Sequence, residues 1–340
     1  MQIQDYKINL KKAVNRINEK KYRRVCLQIP EGLKSKSFEI VDFIKNHTHA
    51  EVIISADPCF GACDISDYKF NNLNIDFILH VGHVEIPNLS YKSIDTLFLN
   101  AITDLDVGIV LKKAIEKIEG KKIGLITTAQ HLHKLDEIKE ILIKNNFVPK
   151  IGKGDKRISK DGLILGCNFS SAESIQDEID SFLFIGSGNF HPLGLMINTD
   201  KPVISADPYT KQVKKQELND MKDAILRQRY GAITRSKNAK VFGVLIGAKK
   251  GQIRNKMASK VKDTLEKKNK KFYIITLDFF SPTSLEGFLD IGCFINTSCP
   301  RITIDDYLSY KKPIITPIEL DIVLGIKKWD DYRFDEIISK

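Results

Sequence analysis

The chain has 340 residues, 42% of them hydrophobic, and its 53 Lys and Arg residues against 43 Asp and Glu give a formal net charge of +10. This length exceeds one compact domain and suits two or three α/β units. No stretch reaches the roughly 18 apolar residues of a membrane span. Residues 1–22 are charged throughout and lack the apolar core of a signal peptide. We therefore expect a cytoplasmic protein that makes no membrane contact.

The positive net charge favours acidic partners, among them nucleic acid. The lysines, however, are scattered in pairs such as Lys11-Lys12 and Lys249-Lys250, with no arginine-rich stripe. The aromatic residues do not form an RNA-binding pattern. We therefore expect a solvated, lysine-rich surface and no direct contact with nucleic acid. A cofactor-free α/β protein that binds nucleic acid is kept as an alternative.

A similar segment occurs three times along the chain, at residues 22–45, 121–144 and 240–268. Each copy starts with basic residues, continues with a short β-branched apolar run and a polar loop, and ends with an amphipathic pattern. Short apolar runs are typical of strands buried on both faces of a parallel sheet. Apolar residues that recur at steps of three or four indicate a helix. Each segment is therefore predicted to form a strand followed by a helix.

Three more strands are expected to complete each unit. Second strands are predicted at 50–57, near 163–165 and at 272–278, third strands at 75–82, 181–187 and 293–298, and closing strands at 95–101, 201–207 and 312–318. This order predicts parallel α/β layering with right-handed crossovers. The fold class is therefore α/β, with three similar parallel-sheet units at 1–102, 103–210 and 211–340 arranged around a central cluster site.

Three cysteines follow predicted strand ends, one in each unit: Cys59, Cys167 and Cys299. A disulfide framework is not expected in a long cytoplasmic chain, which leaves metal binding, catalysis or burial. Ligands bind at the carboxyl edge of open parallel sheets, so the three thiols could converge there. Cys26 and Cys293 lie within strands and are predicted to belong to the core.

Three thiolates are an incomplete ligand set for a [4Fe–4S] cluster, because the cluster contains four iron atoms. The open iron could bind the amino and carboxylate groups of S-adenosylmethionine. Cys63 is an alternative ligand, since Cys59-x3-Cys63 matches the start of the CxxxCxxC loop of radical enzymes. The third cysteine of that loop is missing here.

Two histidine pairs, His80-x2-His83 and His131-x-His133, raise the alternative of a zinc site. Neither pair combines with a cysteine pair at the spacing typical of zinc sites. Structural roles are therefore expected for both pairs.

Motifs along nearly the whole chain carry a resemblance to a known family. They are LQIPEGL (27–33), SADPCFGACD (55–64), ILGCNFS (164–170), SGNFHPLGL (187–195), SADPYT (205–210), LIGAKKGQ (245–252) and NTSCPRITIDDY (296–307). With these motifs the sequence resembles the archaeal diphthamide synthase family, whose members are 3-amino-3-carboxypropyltransferases.

The resemblance implies a homodimer in which each subunit holds a [4Fe–4S] cluster on Cys59, Cys167 and Cys299, with Cys63 as a non-ligand. It also implies reductive cleavage of the Cγ–S bond of S-adenosylmethionine. The 3-amino-3-carboxypropyl group would be transferred to C2 of a histidine imidazole in elongation factor 2, the first step of diphthamide biosynthesis. The partners would be elongation factor 2 and a protein or small-molecule electron donor.

Three further residues are candidates for the site. Arg301 follows Cys299 by two residues and could offset cluster charge or bind a carboxylate with two hydrogen bonds. Gly251 and Gln252 follow a strand end and could approach a nucleoside closely. We expect catalytic roles for Arg301 and Gln252, and binding of S-adenosylmethionine by Gly251, Gln252 and Arg301. A solvated arginine, a plain turn and a non-catalytic metal- or cluster-binding module are the alternatives.

Overall fold

The computed structural model describes residues 1–3, 5–65, 67–89 and 93–339. Its strands in these ranges are β1 (Gln2–Ile3), β2 (Tyr6–Lys7), β3 (Arg24–Gln28), β4 (Glu51–Ile54), β5 (Phe77–Val81), β6 (Asp95–Leu99), β7 (Ile102–Thr103), β8 (Lys122–Thr127), β9 (Val148–Lys150), β10 (Ser181–Ile185), β11 (Val203–Asp207), β12 (Gln212–Lys214), β13 (Val241–Gly247), β14 (Lys271–Leu277), β15 (Cys293–Asn296) and β16 (Ile314–Ile315).

The α-helices of the same ranges are α1 (Leu10–Lys20), α2 (Ser37–His47), α3 (Gly108–Ile115), α4 (Leu135–Lys144), α5 (Ser170–Glu173), α6 (Phe190–Asn198), α7 (Gln216–Ser236), α8 (Asn255–Lys267), α9 (Pro282–Glu286), α10 (Pro300–Asp305) and α11 (Pro317–Val323). Short 3-10 turns connect several of these elements.

Three sheets share one strand order, in which the second strand is followed by the first, third and fourth. They are β4-β3-β5-β6, β9-β8-β10-β11 and β14-β13-β15-β16, and every pair within these runs is parallel. Helices α2, α4 and α8 each follow the first strand of a sheet. The predicted class of three similar parallel-sheet α/β units is confirmed.

One predicted strand was wrong. In the middle sheet the second strand is β9, whereas Leu163 forms only an isolated bridge to Thr127. β9 is an edge strand that contains Pro149, a residue without a backbone N–H, and edge strands tolerate such residues. The apolar run at 163–165 is buried for another reason, because it passes the carboxyl end of β8 and leads directly to Cys167.

The small antiparallel sheet β1-β2-β7 joins the start of the chain to residues 102–103, and β12 adds antiparallel to β11. The middle sheet therefore continues a few residues beyond position 210. The unit boundaries at 102 and 210 stay a prediction.

The interior strands β5, β10 and β11 are buried along their whole length, which explains their nearly continuous apolar sequences. Cys26 in β3 and Cys293 in β15 are also fully buried, as predicted for core residues. No helix in the described part of the chain combines the length and apolarity that a bilayer span requires.

A fully buried ion pair fixes the third unit around α10, the helix that begins directly after Cys299. Arg229 of α7 donates from Nε and Nη2 to the two carboxylate oxygens of Glu319, both at 2.7 Å. Its remaining donors bind the carbonyl oxygens of Thr303 and Ile314 at 2.8 Å. A buried charge pair with all these contacts made is tolerated, whereas the loss of one partner strongly destabilises the fold.

Candidate metal centre

Three cysteine thiols from loops of three different sheets lie near one another: Cys63, Cys167 and Cys299. Burial raises the pKa of Cys167, and the charges of Cys299 and Cys63 raise it further. Burial also raises the pKa of Cys299 to about 12, with the charge of Cys63 as the second cause. Since such effects require short distances between the groups, these three thiols lie near one another.

Cys63 is held against the third unit by the turn that follows β13. Gln252 donates from Nε2 to Cys63 Sγ at 3.7 Å and accepts from Ser298 Oγ at 3.3 Å. A Cβ atom on Gly251 would lie 2.3 Å from Cys63 Cα. The close approach of these two backbones therefore requires glycine at position 251. Gly251 and Gln252 thus connect the first unit to the segment that carries Cys299.

Cys167 lies in a tight turn that is tied to the C-terminal segment. Its carbonyl oxygen accepts from Ile337 N at 2.8 Å, and Asn168 Nδ2 donates to Ile337 O at 3.0 Å. Arg254 fixes the same segment, because its two terminal nitrogens donate to Asp335 at 2.6 and 2.8 Å. The position of Cys167 therefore depends on a segment far along the chain, since Asn168 and Ile337 are 169 positions apart.

Cys299 occupies the position before the first turn of α10, and Pro300 starts the helix. The buried Asn296 side chain organises this turn: its Nδ2 donates to Cys299 O at 2.8 Å and to Thr303 Oγ1 at 2.9 Å. Its Oδ1 accepts from Ser298 N at 2.9 Å. The Asn-Thr-Ser-Cys-Pro sequence thus forms a rigid connection from β15 to α10.

Three buried cationic side chains surround the thiols. Arg157 donates to Gly251 O at 3.1 Å, and its charge lowers the pKa of Cys63 and Cys167 against the larger effect of burial. Lys249 forms a buried ion pair with Asp64 at 2.5 Å. Positive charge at these positions stabilises thiolates, and metal binding requires thiolates.

Arg301 is the third cation, and it lies close enough to Cys299 and Cys167 to interact with their charges. Its Nε and Nη2 donate to the two oxygens of Asp305, both at 2.7 Å. Its guanidinium carbon lies 3.6 Å from the centre of the Phe190 ring. The side chain is thus buried and oriented, unlike a solvated surface arginine.

Cys59 faces a different set of groups. Its Sγ lies 4.0 Å from His80 Nε2, which in turn lies 2.9 Å from His83 Nδ1. One ligand atom from each of these residues lies within 4.8 Å of the other two. Burial raises the pKa of Cys59 to about 12, and the charges of Asp64 and Cys63 contribute in the same direction. The expectation that Cys59 is a cluster ligand and Cys63 is not stays a prediction.

Several of these residues were not found from the sequence. Lys249 and Lys250 were assigned to a solvated surface, but Lys249 pairs with Asp64, and Lys250 binds Asp67 at 2.5 Å. Arg157 is one of 53 basic residues, and no local pattern distinguishes it. His131 is buried beside Tyr209, and no potential metal-ligand group of the described residues includes it. The contacts of all these side chains are long-range, so no spacing rule reveals them.

The fold and the site define a class of protein: three parallel-sheet α/β units with a three-thiol centre where their loops meet. A family model described as diphthamide synthesis protein matches residues 29–333. The chain belongs to this family.

Two relatives carry the name 2-(3-amino-3-carboxypropyl)histidine synthase. The one from Pyrococcus horikoshii is 37% identical over 337 residues, which cover 98% of this chain and 93% of the relative. The one from Methanocaldococcus jannaschii is 34% identical over 334 residues, which cover 92% of this chain and 87% of the relative. The predictions of the family and of a transferase enzyme of this named class are confirmed.

The crystal structure of Dph2 from Pyrococcus horikoshii with a 4Fe-4S cluster is similar to this chain, with a TM-score of 0.89 and 35% identity. The match covers 98% of this chain and 94% of that one. The predicted α/β fold is thereby confirmed at the level of the whole chain.

Proposed function

We propose that this enzyme transfers the 3-amino-3-carboxypropyl group of S-adenosylmethionine to C2 of a histidine imidazole in elongation factor 2. The reaction would be the first step of diphthamide biosynthesis and would proceed by reductive cleavage of the Cγ–S bond. The names of the two archaeal relatives support the group that is transferred. The observation that carries the proposal is the convergence of one thiol from each of three units.

The thiol set fits a [4Fe–4S] cluster, because three thiolates can bind three of its irons. When bound, the cluster would supply an electron and an open iron for the amino and carboxylate groups of S-adenosylmethionine. The buried Arg157, Lys249 and Arg301 would offset the negative charge of such a group. The similar crystal structure of Dph2 from Pyrococcus horikoshii with a 4Fe-4S cluster supports the same assignment.

We assign Cys63, together with Cys167 and Cys299, as the ligands. The charge of Cys63 raises the pKa of Cys167 and Cys299, as it does that of Cys59. The loop of Cys63 also packs directly on the turn at Gly251 and Gln252, close to the segment that carries Cys299. Cys59 was the ligand expected from the sequence, but its Sγ lies 4.0 Å from His80 Nε2, beside the two histidines. The geometry therefore favours Cys63, and the two assignments predict opposite results for the Cys59 and Cys63 variants.

The hydrogen bonds of Arg301 leave part of its side chain available to a substrate, whereas those of Gln252 occupy its side-chain amide. Asp305 occupies the Nε–Nη2 edge of Arg301, so a substrate carboxylate could bind only at the Nη1 side. The amide of Gln252 is bound to Cys63 and Ser298, which supports a role in positioning Cys63. The expected catalytic role of Gln252 and the binding of S-adenosylmethionine by Gly251, Gln252 and Arg301 stay predictions.

The other partners belong to the proposal as well. We propose a cytoplasmic homodimer that receives electrons from a reductant protein or a small-molecule donor. A non-catalytic cluster-binding module is the second candidate, because the thiol set alone does not require that a reaction follows.

The test is anaerobic purification, followed by reaction with dithionite, S-adenosylmethionine and elongation factor 2. We expect brown protein with about four irons per chain, release of methylthioadenosine, and the corresponding mass increase on elongation factor 2. Cys63→Ser, Cys167→Ser and Cys299→Ser should each lose iron and product. Cys293→Ser is the matched control, since this buried thiol contacts the Ser236 hydroxyl at 3.3 Å and lies outside the site.

Each outcome distinguishes the candidates. Iron-loaded protein that leaves S-adenosylmethionine intact would favour the binding module. Deoxyadenosine in place of methylthioadenosine would indicate cleavage of the bond to ribose and refute the proposed bond. Loss of iron in Cys59→Ser, with iron retained in Cys63→Ser, would restore the ligand set expected from the sequence.

A further inference from the structure

We propose that Cys59, His80 and His83 form a second, mononuclear metal site for Zn²⁺, separate from the three-thiol centre. Cys59 and His80 are buried, and His83 is partly buried. One ligand atom from each residue lies within 4.8 Å of the ligand atoms of the other two. The inference depends on the proposed function only in requiring that Cys59 is not a cluster ligand.

A hydrogen-bond chain orients the first imidazole for metal binding. The buried Gln28 donates from Nε2 to the carbonyl oxygen of Asp64 at 2.8 Å, so its Oε1 points the other way. That Oε1 lies 3.2 Å from His80 Nδ1. An amide oxygen only accepts, so Nδ1 carries the proton and the lone pair of Nε2 faces His83 and Cys59. Metal-binding histidines are commonly fixed in this way through their other ring nitrogen.

The distances are close to those of a tetrahedral zinc site. Zinc bonds of about 2.0–2.1 Å to nitrogen and about 2.3 Å to sulfur place two nitrogens about 3.4 Å apart and nitrogen and sulfur about 3.6 Å apart. The two nitrogens of His80 and His83 are 2.9 Å apart here, and Cys59 Sγ is 4.0 Å from His80 Nε2. Changes of about half an ångström would therefore bring these two pairs of atoms to the spacing of a zinc site.

The proton balance of binding is simple. In the metal-free site His83 Nδ1–H donates a hydrogen bond to His80 Nε2. On binding, Zn²⁺ takes the place of this hydrogen bond. The proton of His83 moves from Nδ1 to Nε2 of the same ring through solvent, and Cys59 releases its thiol proton to solvent. One thiolate and two neutral imidazoles are ligands that zinc prefers, and a water molecule can complete the tetrahedron.

The site would connect two elements of the first unit near the three-thiol centre. His80 lies in β5 and His83 just after it, whereas Cys59 lies in the loop after β4 that also carries Cys63. A bound Zn²⁺ would therefore fix the loop that presents Cys63. We expect its removal to leave the fold intact and to speed the loss of iron from the three-thiol centre.

The experiment uses the cluster-loaded protein, treated with a weak chelator and then titrated with Zn²⁺ alone. We expect about one tightly bound Zn²⁺ per chain, measured by elemental analysis after gel filtration. Cys59→Ser and His83→Gln should each lower zinc binding at least about tenfold, the effect of roughly 1.4 kcal/mol. Both variants should still contain about four irons when freshly loaded and should lose them faster than the wild type. His131→Gln is the matched control, because this buried histidine lies outside the site. Cys63→Ser should give the reverse pattern, with zinc retained and iron lost.

Two results would overturn the inference. One is a cluster-loaded wild-type protein that binds no zinc in the titration. The other is equal zinc binding by the wild type, Cys59→Ser and His83→Gln. If Cys59→Ser fails to fold, His83→Gln still decides, and its circular dichroism spectrum checks the fold. Iron and zinc are measured separately, so failure of the zinc site and failure of the cluster assignment are distinguishable.

Discussion

Replacement of Gly251 by alanine tests whether the close approach of two units is necessary for the three-thiol centre. The added Cβ would lie 2.3 Å from Cys63 Cα and 2.5 Å from Cys63 Cβ. Ordinary contacts between such atoms are about 3.5–4.0 Å. The two loops must therefore separate by more than about 1 Å, and neither contact is the flexible end of a side chain.

The energetic and structural consequences follow from this displacement. Inserting a methyl group into a packed site costs about 1–3 kcal/mol, so we expect the Tm to fall by roughly 2–6 °C. The hydrogen bond from Gln252 to Cys63 Sγ, already 3.7 Å long, would be lost. Because Cys63 would move away from Cys167 and Cys299, the iron content should fall well below that of the wild type.

The assay is iron content per chain and differential scanning calorimetry of anaerobically prepared protein. Gly231→Ala is the control, since a Cβ on this glycine of α7 meets no atom within 4 Å. Alanine should stabilise that helix by up to about 1 kcal/mol. Unchanged iron content and Tm in Gly251→Ala would refute the argument that the backbone approach holds Cys63 in place.

Three other predictions concern buried ionisable side chains. Glu319→Gln leaves Arg229 without its charge partner and should lower the free energy of unfolding by about 3–5 kcal/mol. Urea titrations measure this change, and a value below about 1 kcal/mol would contradict the prediction. Burial lowers the pKa of His131 to about 4, so the unfolded chain, with a histidine pKa near 6.5, binds a proton that the folded chain excludes. The free energy of unfolding should therefore fall as the pH falls from about 6.5 to about 4, by up to about 3 kcal/mol for this group. If His131→Gln loses as much stability over this pH range as the wild type does, His131 is not the cause. Arg157→Met removes positive charge near Cys63 and Cys167 and should make the cluster harder to reduce by an amount on the order of 1 kcal/mol, with Arg157→Lys closer to wild type in a redox titration.

The repeated unit could be read from the sequence because its signals are local. A strand buried on both faces needs a short run of apolar residues, and the following helix needs apolar residues at steps of three or four. Both patterns lie within a few consecutive residues, as in β8 and α4. The run at 163–165 was wrongly predicted as a strand, because a segment buried outside a sheet needs the same apolar side chains as a buried strand.

The candidate site could be predicted only in part. The positions of Cys167 after an apolar run and of Cys299 after β15 indicated the edge where ligands bind. The position after a strand does not show whether Cys59 or Cys63 is a ligand, because both cysteines lie in one loop. They differ only in the direction of their side chains. That direction is fixed by contacts with Gln28 and His80 on one side and with Gln252 on the other.

The sequence by itself therefore determined the three-unit α/β architecture and which loops carry thiols. Only the tertiary structure shows that Cys63 lies near Cys167 and Cys299, that Cys59 lies beside two histidines, and that Lys249 and Arg157 are buried near the thiols. The physical reason is the range of the interactions. Strands and helices follow from neighbours in sequence, whereas the centre depends on how three sheets pack against one another and on charges paired across their loops.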